Sequence, residues 1–595
     1  MANLGNVRLG RPRVFSQQFL LCRSLILVVG IGAAVGWGAG CDRGSTVNPP
    51  PVPPPKVPSI KADKGTEQAA PDDIRLTDMT AETGIQWEYQ NGREAGNRSI
   101  LESLGGGVGA LDFDGDGRLD LFFPGGGGYD GQKTIGKPGG LFRNRGDWKF
   151  EEVSASAGGG FPSKFYSHGC FAADYDSDGF VDFLVTGYGG VQLWKNQGDG
   201  TFAEAAEATG LSVDKLWSSA AGWGDVNGDG HLDLYVAHYV NWSFENHPRC
   251  AGPAPGSIDI CPPKVYEPLP DTLFLSDGEG RFVDGSEAAG LRKDGKGLGV
   301  VLGDVDRDGD LDIYVANDTT DNFLYLNDGH GVFQEVAQLA GVATDDRGTP
   351  NGSMGVDLGD YNLDGRPDIW VANFEVESFA MYRNDGHQQF LHVSQATGVT
   401  ALNGLFVGFG TGFIDIDRDG DEDLVVTNGH VILFPRSAPL LQLPLLLRNE
   451  KGQRFRRIEL KGPEYWTTPH AGRGVIFADL DNDGDMDMVF ANNHEPAAVL
   501  RNDSAPDGQW LQVRLRGRGS NRDAIGAVLE LETSIGKRVR LIKGGGTYLS
   551  QNDLRVNWGL PKGAQAKALV IKWPRGQEQR IEPVSLNQML EVQEP

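Results

Sequence analysis

Asp304-Val305-Asp306-Arg307-Asp308-Gly309-Asp310-Leu311-Asp312-Ile313-Tyr314-Val315 holds one copy of a nine-residue pattern, Asp-x-Asp/Asn-x-Asp-Gly-x-x-Asp, that the chain writes seven times. The copies place side-chain oxygens at Asp112, Asp114, Asp116 and Asp120; Asp174, Asp176, Asp178 and Asp182; Asp225, Asn227, Asp229 and Asp233; and Asp304, Asp306, Asp308 and Asp312. The last three use Asp360, Asn362, Asp364 and Asp368; Asp415, Asp417, Asp419 and Asp423; and Asp479, Asp481, Asp483 and Asp487. Oxygens at positions 1, 3, 5 and 9, with Gly at 6 for the sharp turn, form the cage that a hard cation such as Ca²⁺ takes. A helix–loop–helix calcium site also needs a Glu at position 12; here that position is Phe123 in the first copy and Val315 in the fourth. The flanks, such as Leu119-Asp120-Leu121-Phe122, read as strands, so each loop joins two strands of a hairpin. Up to seven Ca²⁺ ions are expected, against the plain alternative of seven acidic turns without metal.

The loop starts are 62, 51, 79, 56, 55 and 64 residues apart, a period that suggests propeller blades. Each unit repeats four strand signals: a small-residue strand before the loop (Gly408-Phe409-Gly410-Thr411-Gly412), an apolar strand after it, a third ending in Asn-x-Gly (Asn327-Asp328-Gly329) and a fourth like Val332-Phe333-Gln334-Glu335. The seventh unit lacks its fourth strand. Ile74-Arg75-Leu76-Thr77-Asp78 supplies that signal at the start, so the N-terminal strand is expected to complete the last blade and close the ring. The expected fold is all-β: a seven-bladed β-propeller over 74–506, then a small β-sandwich-like domain over 507–595. In the latter, Leu529 and Leu531 alternate with Glu530 and Glu532.

Charge separates the two parts. The chain of 595 residues carries −27. Residues 509–595 hold 14 Lys and Arg against 8 Asp and Glu, a balance of +6, so the remainder carries −33. This acidity argues against a nucleic-acid partner and is largely metal-ligand chemistry, since the loops spend 26 Asp. A basic module beside an acidic body implies either docking between them or separate partners. Gly, at 85 residues, is about twice its usual share, as a turn-rich β chain requires.

The N-terminus has the layout of an export signal: Arg8, Arg11, Arg13 and Arg23, then an apolar stretch from Leu25 to Ala39. Gly38-Ala39-Gly40-Cys41 resembles a bacterial lipobox, departing at Gly38 where Leu is usual, with Cys41 the lipidated residue; an uncleaved anchor is the alternative. Residues 1–41 are thus signal and lipobox, and 42–73, with Asn48-Pro49-Pro50-Pro51-Val52-Pro53-Pro54-Pro55, a stiff Pro-rich linker. Diacyl anchoring supplies the multiple chains that stable membrane attachment needs. Cys170 reads as a buried core residue. An exported chain favours a disulfide between Cys250 and Cys261 in the Pro/Gly-rich insertion from Tyr239 to Asp271.

At this point the chain resembles a known group. Its seven loops are similar to the calcium loops of FG-GAP/VCBS propellers. Trp510-Leu511-Gln512-Val513-Arg514-Leu515, Ser520-Asn521-Arg522-Asp523-Ala524-Ile525-Gly526-Ala527, Trp573-Pro574-Arg575-Gly576 and Asn587-Gln588 resemble the ASPIC/UnbV domain, with Arg575 where that family usually has Ser. The pairing is that of cartilage acidic protein 1-like chains. The resemblance implies an extracellular calcium-binding propeller and no agreed reaction.

If all seven loops share one face, the second-to-third strand connections share the other. Thirteen residues after each first Asp stand Gly125, Gly187, His238, Asn317, Asn373, Asn428 and Asn492. These are turn caps or, with Asp318, His430, His494 and Glu495 nearby, a polar ring that binds a ligand. The insertion from Tyr239 to Asp271 falls on the same face, as a recognition element or a cover. No nucleophile elbow, phosphate loop or His-Glu-x-x-His occurs. The expected function is therefore an exported, lipid-anchored or secreted binding and adhesion module of the bacterial envelope for a protein or polysaccharide ligand. The alternative is a polysaccharide lyase or hydrolase working on the face without calcium.

Overall fold

The computed structural model describes residues 74–402, 405–504 and 508–595. The export signal, Cys41 and the Pro-rich linker lie outside the described residues. Within them the protein is all-β, and no described helix is long and apolar enough to cross a membrane.

Seven antiparallel sheets follow one another along the chain. Each begins with a buried inner strand leading into an aspartate loop. The inner strands are Gly109–Leu111, Tyr166–Ala173, Ser218–Gly224, Gly297–Gly303, Val356–Gly359, Gly408–Ile414 and Gly472–Ala478. The second strand starts at the ninth loop residue in every copy, as in Asp312–Asn317, and pairs back on the first, with Gly303 opposite Asp312. Neighbouring inner strands touch in chain order, and Gly472–Ala478 touches Gly109–Leu111. The small residues in and directly before these strands have a steric reason. A Cβ on Gly355 would stand 1.9 Å from the Phe409 carbonyl of the next inner strand, and one on Gly410 would stand 2.5 Å from that of Arg473. The last sheet takes its fourth strand from Leu76–Asp78, with Leu76 opposite Asn502 and Asp78 opposite Leu500. Cys170 is free and buried.

The asparagine near the end of the third strand in six of the seven sheets does more than turn the chain. The ninth-position aspartate accepts the backbone N–H of that third-strand residue in all seven sheets, at 2.7–3.0 Å. The asparagine amide then donates to the second-position carbonyl of the preceding sheet's loop. Asn196 reaches Phe113, Asn327 reaches Val226, Asn384 reaches Val305, Asn449 reaches Tyr361 and Asn502 reaches Ile416, at 2.7–3.0 Å. Asn144 of the first sheet makes the same bond to Leu480 of the seventh, at 2.8 Å. The third sheet has Ser276 in this position. Buried carbonyls need such partners, and here the partner comes from the next sheet.

The C-terminal residues form two sheets around one core. Gln509–Arg516 lies between Val556–Leu560 and Gln588–Gln593, parallel to the latter. Gly536–Leu541, Val528–Thr533, Ala566–Lys572 and Glu578–Ile581 make the second sheet. Leu511, Val513, Leu529, Leu531, Trp558 and Trp573 are buried between them.

Of the two arrangements that the charge asymmetry allows, the protein adopts docking. The C-terminal sheets cover the aspartate-loop side. Arg522 Nε lies 3.2 Å from Asp174, Arg307 bonds Glu530 at 2.6 Å, Arg538 donates to the Gly420 carbonyl and Arg555 to that of Asp479. The segment 544–551 also enters between the inner strands. Gly544 and Gly545 pair with Leu302 and Val301, and Thr547 Oγ1 donates to Val475 O at 2.9 Å. Cys170 N donates to Leu549 O, and Gln551 N to Val108 O.

Replacing Asn144 by Ala strands the buried carbonyls of Leu480 and Leu119, each worth roughly 1–3 kcal/mol when unpaired. Urea unfolding is expected to show a loss of about 2–4 kcal/mol for Asn144→Ala. Ser276→Ala, where no such clasp exists, is expected to lose less than about 1 kcal/mol.

Candidate functional site

Two faces carry chemistry. On the first, the seven aspartate loops share one geometry. The first aspartate accepts the N–H of the glycine at position 6 in every copy, at 2.8–3.2 Å. That glycine has φ between +85° and +104°, a region closed to most side chains. The bond occupies one carboxylate oxygen; the other accepts the position-5 N–H in the loops that begin at Asp225, Asp360, Asp415 and Asp479, and is buried without a partner in those that begin at Asp112, Asp174 and Asp304. Buried oxygens of Asp112 (Oδ1), Asp174 (Oδ1), Asp176 (Oδ1), Asp182 (Oδ2), Asp304 (Oδ1), Asp368 (Oδ2) and Asp423 (Oδ2) have no hydrogen-bond partner. In five loops, those beginning at Asp112, Asp174, Asp304, Asp415 and Asp479, three carboxylate oxygens lie within 4.8 Å of one another. The other two loops have Asn227 and Asn362 at position 3, where an amide oxygen replaces the third carboxylate.

Burial pushes the ninth-position carboxyls far up: Asp120 to about 8, Asp182 and Asp368 to about 9, and Asp233 to about 7. Crowded, buried carboxylates with unpartnered oxygens are costly unless protonated or neutralised by a cation. The arrangement can hold metal ions. The C-terminal domain leaves this capacity intact, because Arg514 and Arg522 approach Asp112 and Asp174 at Oδ2 and spare Oδ1.

On the opposite face, the residues expected to form a polar ring are spent on turns. Asn317 Nδ2 donates to Asp321 O, Asn373 to Ser378 O, Asn428 to Leu443 O and Asn492 to Pro496 O, at 2.7–2.9 Å. His238 is fully buried between Pro270 O and Asp214. All five side chains are buried, with Asn492 at 2% exposure. His430 is buried as well, its Nε2 3.3 Å from Glu375 and its ring edge-on to Phe374, and burial draws its pKa down. His494 lies 3.5 Å from Glu88, and His470 2.9 Å from Glu495. His238, Asn317, Asn428 and Asn492 are the last residues of their second strands, so each meets its own connection first.

What this face offers is a cavity of about 230 Å³, lined mainly by Leu104, Tyr239, Leu298, Met354, Phe374 and Tyr548. Asp318, Thr319, Glu377 and Lys264 reach its wall. Asp318 accepts the Tyr239 hydroxyl, and Glu377 accepts the N–H of Gly352 at 2.8 Å and of Phe374 at 3.3 Å. Burial raises Asp318 to about 6 and Glu377 to about 7. Thr319 has φ +64° and a buried hydroxyl without a partner. A β-branched residue held there costs on the order of 1–3 kcal/mol, and such strain collects at functional sites.

The insertion from Tyr239 to Asp271 spans the cavity. Cys250 and Cys261 are joined by a disulfide. Asp259, beside them, accepts the N–H groups of Leu433 and Phe434 from the sixth sheet. Ile258, Val265, Val376, Phe434, Leu440 and Leu441, all in connections of this face, expose apolar side chains around it. Of these cavity residues, the sequence pointed to Asp318 and, through the insertion from Tyr239 to Asp271, to the segment that supplies Tyr239 and Lys264. Thr319 beside Asp318 bore a readable sign, polar β-branched residues directly after a strand end. Tyr548 bore none, because its approach depends on a contact with Leu104 across 444 positions.

The profile described as FG-GAP-like repeat matches residues 112–185, 174–236, 266–315, 304–371 and 360–426, and that described as ASPIC and UnbV matches 517–595. Cartilage acidic protein 1 of Mus musculus is 28% identical over 383 residues, covering 62% of this chain and 54% of its own length. The Homo sapiens protein is also 28% identical, over 62% of this chain and 53% of its own. The chain spans about half the length of the curated relatives it matches. Among solved structures, an Agrocybe aegerita lectin described as recognising non-reducing terminal N-acetylglucosamine is 16% identical, covering 66% of this chain and 87% of that one, with a TM-score of 0.37. An exotype rhamnogalacturonan lyase is 13% identical, covering 67% and 72%, with a TM-score of 0.36. From the repeated aspartate loops and the basic module that docks on them, the chain is an FG-GAP-like repeat protein with a C-terminal ASPIC and UnbV domain, homologous to cartilage acidic protein 1.

Proposed function

We propose that this protein is an exported binding module: a closed, seven-bladed propeller over 74–506, stiffened by calcium, that takes an extracellular protein or polysaccharide ligand on the face away from its aspartate loops. The observation that carries this reading is the docking of the C-terminal domain. It occupies the loop face and leaves the opposite face with the cavity and its exposed apolar rim. Exposed apolar patches beside a concavity mark interaction sites. Closure is supported by the pairing of Leu76–Asp78 with the last sheet and by the Asn144–Leu480 clasp. Calcium, up to seven ions, is supported by donor sets made wholly of oxygen and by their unpartnered buried atoms. Lipidation at Cys41 would tether the module to the cell envelope, with the ASPIC and UnbV domain over 507–595 as its cap.

Binding rather than catalysis is the favoured activity, because the regularly placed carboxylates serve the loops. The ligand screen is direct: purified protein against polysaccharides and envelope proteins, with binding and turnover read separately. The double variant Val376→Asp/Phe434→Asp alters two exposed rim positions and is expected to weaken binding at least tenfold without moving the melting temperature. Turnover of any polysaccharide would replace the binding reading with the lyase or hydrolase.

Extracellular calcium sites have Kd of about 10⁻⁴–10⁻³ M. At tenfold excess each contributes about 1.4 kcal/mol, so seven contribute roughly 10. Stripping the metal is expected to lower the melting temperature by about 10 °C or more. An unchanged melt with metal loss verified would contradict a stabilising role.

The pH dependence has a definite sign. In the stripped protein burial raises the ninth-position carboxyls, those of Asp120, Asp182, Asp233 and Asp368 from about 4 unfolded to about 7–9 folded, so the folded state binds more protons. Stability is then greatest near the acid end and falls as pH rises toward 9. Calcium removes this loss. Added to stripped protein at pH 7 in dilute buffer, it is expected to release protons, measurable as a downward pH step.

A further inference from the structure

The cavity opposite the aspartate loops is assembled from two parts of the chain. Its floor is Tyr548, carried between the inner strands by the C-terminal segment 544–551. The Tyr548 ring meets Phe409 edge-on with centroids 5.0 Å apart, and its hydroxyl donates to Leu104 O at 3.1 Å. Tyr239, Leu298, Met354 and Phe374 from the repeats make the walls. Without the C-terminal domain there is no floor.

Protein interiors are close-packed, so a void of about 230 Å³ forfeits contacts all around its lining. An engineered apolar cavity of about 150 Å³ holds benzene. The larger volume here suits one ring with a short substituent. The polar end is confined to one stretch of wall. Asp318 and Glu377 are partly engaged by Tyr239 and by backbone N–H groups, whereas the buried Thr319 hydroxyl has no partner. Charge of both signs lies close by: the Asp318 and Glu377 carboxyls and Lys264 reach the lining, the buried Lys296 donates Nζ to Pro263 O at 2.9 Å, and the buried Arg473 guanidinium stacks on Phe409. The rest of the lining is apolar and selects a neutral guest, because a further charge would be desolvated there.

We propose that this composite cavity binds a neutral, single-ring, mainly apolar molecule bearing one hydroxyl, a phenol or alicyclic alcohol, with its ring on Tyr548 and its hydroxyl at Thr319 and Asp318. The proposal rests on the reading that the ligand face is the one away from the loops, and names the chemical class that its cavity takes.

The test uses the full chain in calcium, with phenol and cyclohexanol as probes and benzoate and benzylammonium as charged controls, read by saturation-transfer NMR and titration calorimetry. Phenol and cyclohexanol are expected to bind saturably, and both charged controls at least tenfold more weakly. Thr319→Val is expected to weaken phenol at least fivefold and leave toluene unchanged. Met354→Phe, which narrows the cavity, is expected to weaken phenol binding at least threefold while the melting temperature stays near wild type. Equal binding of the charged controls, undiminished binding to Met354→Phe, or no uptake of phenol at 5 mM each overturns the proposal. Failure here is separable from failure of the binding-module reading. If phenol is excluded but the rim variant Val376→Asp/Phe434→Asp still loses its macromolecular ligand, the cavity proposal falls and the face assignment stands. If phenol binds and the rim variant keeps its macromolecular ligand, the face assignment falls and the cavity proposal stands.

Discussion

In the loops that begin at Asp112, Asp304 and Asp479, the carboxylate at the ninth position ties three things together: the loop, the third strand of its own sheet and, through that strand's asparagine, the loop of the preceding sheet. Asp120 accepts from Phe113 N and Asn144 N, while Phe113 O receives the Asn196 amide of the next sheet. The same residue at the second position thus gives its N–H inward and its carbonyl outward. Ordering an aspartate loop therefore orders a sheet-to-sheet contact. A metal ion that neutralised the loop would stabilise the junction as well as the hairpin.

The C-terminal domain acts on the same face in a different way. Its positive balance meets the acidic loops, but most individual contacts are hydrogen bonds to loop carbonyls or to the outer carboxylate oxygen, as with Arg538 on Gly420 and Arg522 on Asp174. Such contacts recognise a folded loop and leave the inner oxygens of Asp112 and Asp174 untouched. The segment 544–551 carries the domain's influence through to the far face, where Tyr548 becomes part of the cavity. The two faces are chemically unlike, one acidic and covered, the other apolar and open, yet a single C-terminal segment takes part in both.

Repetition made much of this legible. Seven identical loop patterns, the small residues before them and the displaced strand signal at Ile74–Asp78 determine the sheet order, since each rests on local spacing. The turn positions from His238 to Asn492 were also visible, but as sequence positions only. Whether an asparagine faces a turn or a ligand depends on where the following connection folds, and Asn317 meets Asp321 before it can meet anything else. The clasp was hidden inside a readable feature: the Asn of Asn-x-Gly announces a turn, and nothing local says that its amide reaches another sheet. The parallel pairing of Gln509–Arg516 with Gln588–Gln593 and the approach of Tyr548 to Leu104 were beyond reach, because they join distant segments with no shared pattern.

The seam of the fold also has a mechanical meaning. The chain enters the last sheet at Leu76–Asp78, and those three residues pair with Asn502, Arg501 and Leu500. Any pull delivered along the chain from ahead of residue 74 falls first on this short strand, before it reaches the six sheets whose strands are continuous in sequence. The Asn144–Leu480 bond, set nearer the loop face and independent of that strand, would keep the first and seventh sheets together if the strand were peeled away. The first and seventh sheets are thus joined at two separate places, by strand pairing and by the Asn144–Leu480 bond.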